Sequence, residues 1–406
     1  MKIYQVGGAV RDRLMGKTPH DYDHVVIGSN IDEMLSSGFT QVGKSFPVFI
    51  DKSTGNEYAL ARKEIKTGPK HTDFEFIFDS SVTLKDDLKR RDFTCNALAF
   101  DEENQTVIDY HNGIQDIHNK ILRHIDSDHF IEDPLRVLRM CRFAAQLNFT
   151  IADDTMALAS QMVRQNMLKY LSSERIWQEI FKAMQTPDFD KFIFSARQCG
   201  ALKQILPEVE QLFFVPENPH THPEKTVGNH TILGLQYLKN ASPEEKFAFM
   251  MHDIGKIQTP LDILPHHPKH DTEGIAIINT ICQRLKIPTK FKKLAILCCR
   301  YHSMFWNIEN LSLAEMVTLG DQFKKALPKQ FIEVCRADYF GRQISLSPEK
   351  QQIKENLLLN IIKILKTFKL PDTFGFDDSN SDISQIICQK KISLLQQNLK
   401  IPDKKS

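Results

Sequence analysis

Apolar and polar positions follow one rhythm up to about residue 110 and another from about residue 115. The chain opens with a short apolar run at residues 3–6, which enters a Gly7-Gly8 turn. A helix then begins with Arg11 in its first turn, and the chain returns as a strand through residue 28. A helix near residues 32–37 follows, then extended segments over 40–50, 57–62 and 73–79, a helix over 84–91 and a closing strand over 106–110. This alternation predicts an α/β unit. Beyond it, residues 130–147, 153–169, 173–184 and 191–199 carry apolar residues at helical spacing, several behind Ser or Asp caps. A polar stretch rich in Pro and His, residues 215–227, predicts a boundary. Six further segments (230–239, 244–252, 272–285, 290–301, 313–319 and 329–339) predict a second helical bundle. Tail helices over 357–368 and 383–399 flank a loop at 371–380.

Composition narrows the setting. The chain has 406 residues, enough for two to four domains, with 41% hydrophobic and 25% charged residues, as in ordinary soluble proteins. No apolar run approaches membrane-spanning length, and the chain enters a strand at once, so a cytoplasmic protein with no membrane partner is expected. Eight cysteines form no CxxC pair, which predicts reduced thiols. The net charge of +1 means that any nucleic-acid surface must concentrate its positive charge locally.

Chemistry concentrates first at the opening unit. Side chains alternate on a strand, so Asp21 and Asp23 would point the same way and share hard cations. Gly7 and Gly8 would leave their backbone N–H groups free for an anion at a helix start. Downstream, Arg91 in Lys89-Arg90-Arg91-Asp92 could reach a phosphate, and Asp92 could accept from a ribose hydroxyl. Glu57 is a third carboxylate on a neighbouring strand, suited to activating an attacking hydroxyl. In Glu132-Asp133-Pro134-Leu135-Arg136, Pro134 fits the first helical position with Asp133 as its cap. Asp133 and Arg136, three apart, can also share one face, which Arg139 and Arg142 continue. A carboxylate beside a guanidinium matches the amine donor and ring-nitrogen acceptor of cytosine and adenine, and mismatches uracil and guanine.

These motifs fall in a recognisable order: Gly-Gly-Ala-Val-Arg-Asp (7–12), Asp-Tyr-Asp (21–23), Arg-Arg-Asp (90–92), Glu-Asp-Pro-Leu-Arg (132–136) and Glu-Arg-Ile-Trp-x-Glu (174–179). In this the N-terminal half resembles the bacterial class II tRNA nucleotidyltransferases, the CCA-adding enzymes. The resemblance implies a polymerase-β-like α/β head with a small mixed sheet, followed by an all-α neck and body. It implies that Gly8, Arg11, Arg91, Arg139 and Arg142 bind ATP or CTP and that Asp21 and Asp23 hold Mg2+. Asp133 and Arg136 would read the base, and Glu174-Arg175 would support the base-reading helix. The partner would be the tRNA 3′ end.

A second constellation lies in the C-terminal bundle: His230, His252-Asp253, His270, His302 and Asp338. Imidazole with carboxylate suits a transition metal such as Ni, Mn, Fe or Co better than a structural zinc. The series resembles the HD phosphohydrolase superfamily, an all-α domain. It implies metal ligation by these six residues, with His266 and His267 competing with His270, and it suggests that Lys256 meets substrate phosphate. The two halves together resemble the multifunctional CCA proteins. That resemblance implies 2′,3′-cyclic phosphodiesterase, 2′-nucleotidase and nickel-dependent phosphatase activities. Four segments are expected: head 1–125, neck 126–215, HD domain 216–345 and tail 346–406, in a monomer or homodimer. The rival readings are a poly(A) polymerase-like enzyme and an RNA-binding HD protein with an inactive head.

Overall fold

The computed structural model describes residues 1–19, 21–42, 48–66, 74–77, 81–323, 328–343, 347–369 and 380–399, with backbone alone at 63–66, 74–77 and 380–383. The expected loop at 371–380 lies outside these residues apart from Asn380, and so does His20. The chain divides into two compact units, Met1–Ala183 with Lys191–Ile205, and Met184–Asp190 with Leu206–Ser406. Among the described residues no helix is long and apolar enough to cross a membrane. All eight cysteines are free thiols, seven of them buried.

The first unit is built on a mixed sheet. Its strands are β1 (Lys2–Val6), β2 (Asp23–Ile27), β3 (Thr40–Val42), β4 (Val48–Ile50) and β5 (Glu57–Leu60). A separate two-stranded ladder, β6 (Lys63–Lys66) with β7 (Phe74–Ile77), precedes β8 (Leu98–Asp101) and β9 (Thr106–Asp109). The order across the main sheet is β3-β4-β5-β2-β1-β8-β9, with β2 and β5 parallel and the other neighbours antiparallel. Period-two alternation on β2 explains why this strand is central. Val25 packs with Val6, Leu84 and Leu88 on one face, while Val26 packs with Met34, Phe49 and Leu60 on the other. Asp23 shares the side of Val25 at the open end of the strand.

Helices α1 (Gly8–Leu14), α2 (Ile31–Ser36) and α3 (Leu84–Lys89) flank the sheet, and α4 (Gly113–Asn119) leads out of it. The sequence predicts one helix over residues 130–147, but the structure has two, α5 (Ser127–Glu132) and α6 (Leu135–Leu147). The break falls at Asp133, which is extended (φ −118°, ψ 104°) because a following proline excludes the helical region. The Asp133 carboxylate caps the new start, accepting from the Leu135 N–H at 3.0 Å. Helices α7 (Asp153–Arg164), α8 (Ser173–Met184), α9 (Phe189–Gln198) and α10 (Ala201–Ile205) follow.

The second unit is helical, with α11 (Pro207–Leu212), α12 (Val227–Tyr237), α13 (Pro243–Met251), α14 (His270–Arg284), α15 (Thr289–Trp306), α16 (Leu313–Asp321), α17 (Pro328–Phe340), α18 (Pro348–Lys366) and α19 (Asn380–Asn398). Helix α13 is the buried centre. A Ser242/Glu245 capping box with Pro243 opens it, and Phe247, Phe249, Met250 and Met251 are all buried. Even Lys246 is buried, its ammonium donating to the carbonyls of Thr186 (2.6 Å), Met184 (3.1 Å) and Lys239 (3.1 Å). Just past α13 the chain must touch the start of α14. A Cβ on Gly255 would lie 1.9 Å from the His270 carbonyl oxygen, so only glycine fits there.

Candidate functional site

In the first unit a cavity of about 720 Å3 is lined by Gly8, Arg11, Asp21, Asp23, Arg91, Asp92, Asp133, Arg136, Arg139 and Arg142. Every head residue singled out in the sequence reaches it except Glu57. That residue stands in register with Asp23 on the adjacent strand and lines a smaller adjoining cavity with Asp23 and Arg91. Eight arginines against four aspartates line the main cavity, so it favours a polyanion although the whole chain is nearly neutral.

Buried guanidiniums need partners, and each of these has one. Arg11 sets Nε and Nη2 on Asp12 Oδ1 (2.8 and 2.7 Å) and Nη1 on Asn96 Oδ1 (2.6 Å). Arg142 is held by Glu179 Oε2 (2.5 Å) and Gln146 Oε1 (2.7 Å). Arg139 donates to Asp92 Oδ2 at 2.8 Å. All three guanidiniums surround the Phe143 ring, at 4.0 Å for Arg142, 5.3 Å for Arg139 and 5.6 Å for Arg11. Neither Asn96 nor Phe143 was singled out in the sequence. Phe143 follows Arg142 directly, and its place one residue off the arginine line was the available signal.

Several expectations need correcting. Asp21 precedes β2 and is not part of it, because the ladder with β1 ends at the pair Val6–Asp23, beyond which Gly7 turns the chain (φ +75°). Both aspartates still face the cavity. The Gly7 N–H is not free, since it donates to the Leu98 carbonyl at 3.1 Å. Gly7 instead provides space, as a Cβ there would lie 2.9 Å from Arg91 Nη1. Asp92 is not open to a ribose hydroxyl: Oδ1 accepts from Phe93 N (2.9 Å) and Asn96 Nδ2 (3.0 Å), and Oδ2 is taken by Arg139. Burial alone would raise its carboxyl, but Arg139, Asn96 and Arg136 outweigh burial and hold it down to about 2. Asp133 and Arg136 flank the cavity with other partners. Arg175 donates to Asp133 Oδ2 at 3.0 Å, and Arg136 donates to the carbonyls of Arg90 (2.6 Å) and His129.

In the second unit all six residues of the histidine–aspartate series converge. His252 Nε2 lies 3.1 Å from Asp253 Oδ2, while His302 Nε2 and His270 Nε2 lie 3.3 and 3.5 Å from Asp253 Oδ1. His230 Nε2 lies 3.1 Å from Asp338 Oδ1, which is 3.9 Å from His252 Nε2. The competitors of His270 are elsewhere: His266 is exposed, and His267 uses its ring nitrogens on Thr259 Oγ1 (2.8 Å) and the Pro216 carbonyl (3.1 Å). Lys256 does not face outward. It is buried between Asp253 (2.8 Å) and Glu217 (2.6 Å).

The donor set fits a cation. Each ring nitrogen Nδ1 is already committed: His252 to the Phe249 carbonyl (2.6 Å), His270 to that of His267 (2.7 Å) and His302 to that of Cys298 (3.0 Å). His230 Nδ1 donates to Glu224 Oε1 (3.1 Å). Those bonds fix the tautomers and leave Nε2 lone pairs facing carboxylates, an arrangement that needs positive charge between them. His252 Nε2 and Asp253 Oδ1 are buried without any hydrogen bond. Burial opposes charging His230, yet the hydrogen bonds that its ring donates to Asp338 and Glu224 hold its pKa up at about 9, positive charge that a cation between these carboxylates would replace. Ligand atoms of His230, His252 and Asp253, and those of Asp253, His270 and His302, lie within 4.8 Å of one another. Glu217, His222 and Glu224 were missed because they sit in the polar 215–227 stretch read as a boundary. His222 Nδ1 shares Glu224 Oε1 with His230, at 2.9 Å. The density of His and Glu just before His230 was the signal.

Comparison with known proteins bears on both halves. The poly A polymerase head domain family matches residues 3–123, and a family described as the probable RNA and SrmB-binding site of polymerase A matches residues 148–213. A multifunctional CCA protein of Teredinibacter turnerae is 43% identical over 351 residues, covering 84% of this chain and 85% of that one. One of Acinetobacter baumannii (strain ATCC 17978) is 38% identical over 408 residues, covering 97% of both. Among solved structures, an apo CCA-adding enzyme is similar with a TM-score of 0.63 at 20% identity, covering 99% of this chain and 88% of that one. The Thermotoga maritima CCA-adding enzyme complexed with tRNA gives the same TM-score and identity over 98% and 88%. Those two structures speak for the fold: a polymerase-β-like head with a mixed sheet, followed by a helical body. The identity to the curated relatives decides the family: the chain belongs to the multifunctional CCA proteins, class II CCA-adding enzymes, and is a tRNA nucleotidyltransferase.

Proposed function

We propose that the cavity of the first unit adds C, C and then A to tRNA 3′ ends from CTP and ATP, and that the cluster of the second unit is an HD phosphohydrolase. One observation carries the first part. A carboxylate pair (Asp21, Asp23), a line of anchored arginines and an Asp–Arg couple (Asp133, Arg136) open into the same cavity. Magnesium bound at Asp21 and Asp23 would lower the pKa of the attacking 3′-hydroxyl and offset charge on the departing pyrophosphate. Glu57, in register with Asp23 on the adjacent strand, would accept the proton of that hydroxyl. Arg11, Arg91 and Arg142 neutralise the triphosphate, and their fixed partners mean that little reorganisation is needed when it arrives. Asp92 acts through Arg139, which it holds against Phe143, and not on the ribose. Gly8 lets the triphosphate approach the start of α1.

Base choice follows from Asp133 accepting from the exocyclic amine while Arg136 donates to the ring nitrogen. Each must then exchange a present partner, Arg175 for Asp133 and a backbone carbonyl for Arg136, for a base edge. In the second unit, His230, His252, Asp253, His270, His302 and Asp338 would hold nickel or another transition metal, which activates water toward a phosphate ester. The substrates assigned to it are 2′,3′-cyclic phosphates, 2′-nucleotides and phosphomonoesters. The proposed division is head 1–125, neck 126–215, HD domain 216–345 and tail 346–406.

Replacing Asp21 tests the first part. Asp21→Ala is expected to lower CTP incorporation into tRNA lacking CCA by about a thousandfold. Near-normal incorporation by this variant would remove the carboxylate pair from the chemistry.

A further inference from the structure

A side-chain cation beside the metal would bind the phosphate oxygens of an ester, and Lys256, the sequence's choice, is spent on Asp253 and Glu217. We propose that Arg342 is the phosphate-binding residue of the second unit's metal site, recognising the phosphoryl group of a phosphate ester. The proposal rests on the phosphohydrolase reading above. Arg342 lies two residues past the end of α17, four residues after Asp338. Its Nη2 donates to Asp338 Oδ1 at 3.0 Å, and its Nε donates to the Asp338 carbonyl at 3.0 Å. The same Oδ1 lies 3.1 Å from His230 Nε2, so the guanidinium borders the ligand cluster directly.

Two features set Arg342 apart from Lys256. First, Arg342 reaches the cluster from the side where His222 and its ring partner His230 lie, and its carboxylate partner is Asp338 rather than the Asp253–Glu217 pair that encloses Lys256. Second, its plane is fixed. The guanidinium sits 4.4 Å over the Trp306 ring, which also stacks on Tyr339 at 4.9 Å with 24° between the planes and has Lys354 Nζ 5.8 Å from its centroid. Trp306 Nε1 in turn donates to Asp338 Oδ2. Asp338 thus orients both the indole and the guanidinium that packs on it. With Nε and Nη2 committed, Nη1 has no hydrogen bond to any described residue. It is a donor on a preorganised, partly desolvated fork, the arrangement that suits phosphate oxygens. The stack also argues against base recognition here, because Tyr339 and Arg342 already occupy the indole. Arg342 therefore grips phosphate and leaves the nucleoside unread.

The test measures binding without turnover. Full-length protein, wild type and Arg342→Gln, is titrated by calorimetry with Ni2+ alone and then, nickel-loaded, with inorganic phosphate. For Arg342→Gln, nickel affinity should stay within about threefold of wild type while phosphate affinity falls by about tenfold or more. Arg342→Lys, which keeps the charge but not the fork, should recover part of the loss. The KM for 2′,3′-cyclic AMP should rise in the same order. A variant that binds nickel and phosphate as wild type does overturns the assignment. So does one that loses nickel affinity by about tenfold or more, because Arg342 would then only be positioning Asp338. If the wild type itself binds no nickel, the phosphohydrolase reading fails, and this assignment fails with it.

Discussion

The two sites solve opposite problems with the same chemical groups. In the first unit the metal-type carboxylates, Asp21 and Asp23, are exposed at an open cavity, and the charges behind them include the ion pairs Arg139–Asp92 and Arg142–Glu179. In the second unit the carboxylates are buried among imidazoles, and the pairing stops short: His252 Nε2 and Asp253 Oδ1 are left without hydrogen bonds. The first arrangement suits ions that arrive and leave with a triphosphate. The second suits a cation that stays. Burial depth of the ligating groups, more than residue type, separates a transient cation site from a resident one.

The contrast breaks first at His252. His252→Ala should lower nickel-dependent hydrolysis of 2′,3′-cyclic AMP by about a hundredfold or more. It should leave CTP incorporation by the other unit unchanged. Equal hydrolysis by variant and wild type would make the second cluster structural. Glu179 probes the pairing in the first unit. Glu179→Ala leaves the buried Arg142 with neutral Gln146 but no counter-charge on that side, and should cost about 3–5 kcal/mol in denaturant unfolding. A loss near zero would mean that the arginine line does not depend on its carboxylates. The smallest effect concerns selectivity. Arg136→Ala should reduce the preference for CTP over UTP by about tenfold or more, read from single-nucleotide incorporation, and unchanged discrimination would place base reading elsewhere.

Much of this was legible in the sequence, within limits set by distance along the chain. Local signals worked. The Gly7-Gly8 turn, the helix over residues 173–184 and the His252-Asp253 pair at the end of an apolar helix depend on neighbours a few positions away. Partnerships did not. Arg11 meets Asn96 across 85 residues and Arg139 meets Asp92 across 47, and no periodicity links such positions. A side chain's type therefore showed that Asp92 and Lys256 were charged, but not that each was already engaged. The break at Asp133 was readable from Pro134, yet the apolar spacing on both sides suggested one helix. The 215–227 stretch misled in the other direction. Its polar composition predicts a linker, whereas its carboxylates and imidazole complete a buried cluster.

The central claim, that one open cavity both transfers nucleotides and chooses them without a template, is tested most directly by sequencing the 3′ ends formed by the wild-type protein. The substrate is tRNA lacking CCA, tailing one or two of its residues, or none, supplied with each nucleoside triphosphate alone and in combination. CTP alone should extend the bare end by C residues and stop, ATP alone should extend only ends already carrying CC, and the two together should give CCA. Runs of A from ATP alone on the bare end, or incorporation of U at rates comparable to C, would contradict it.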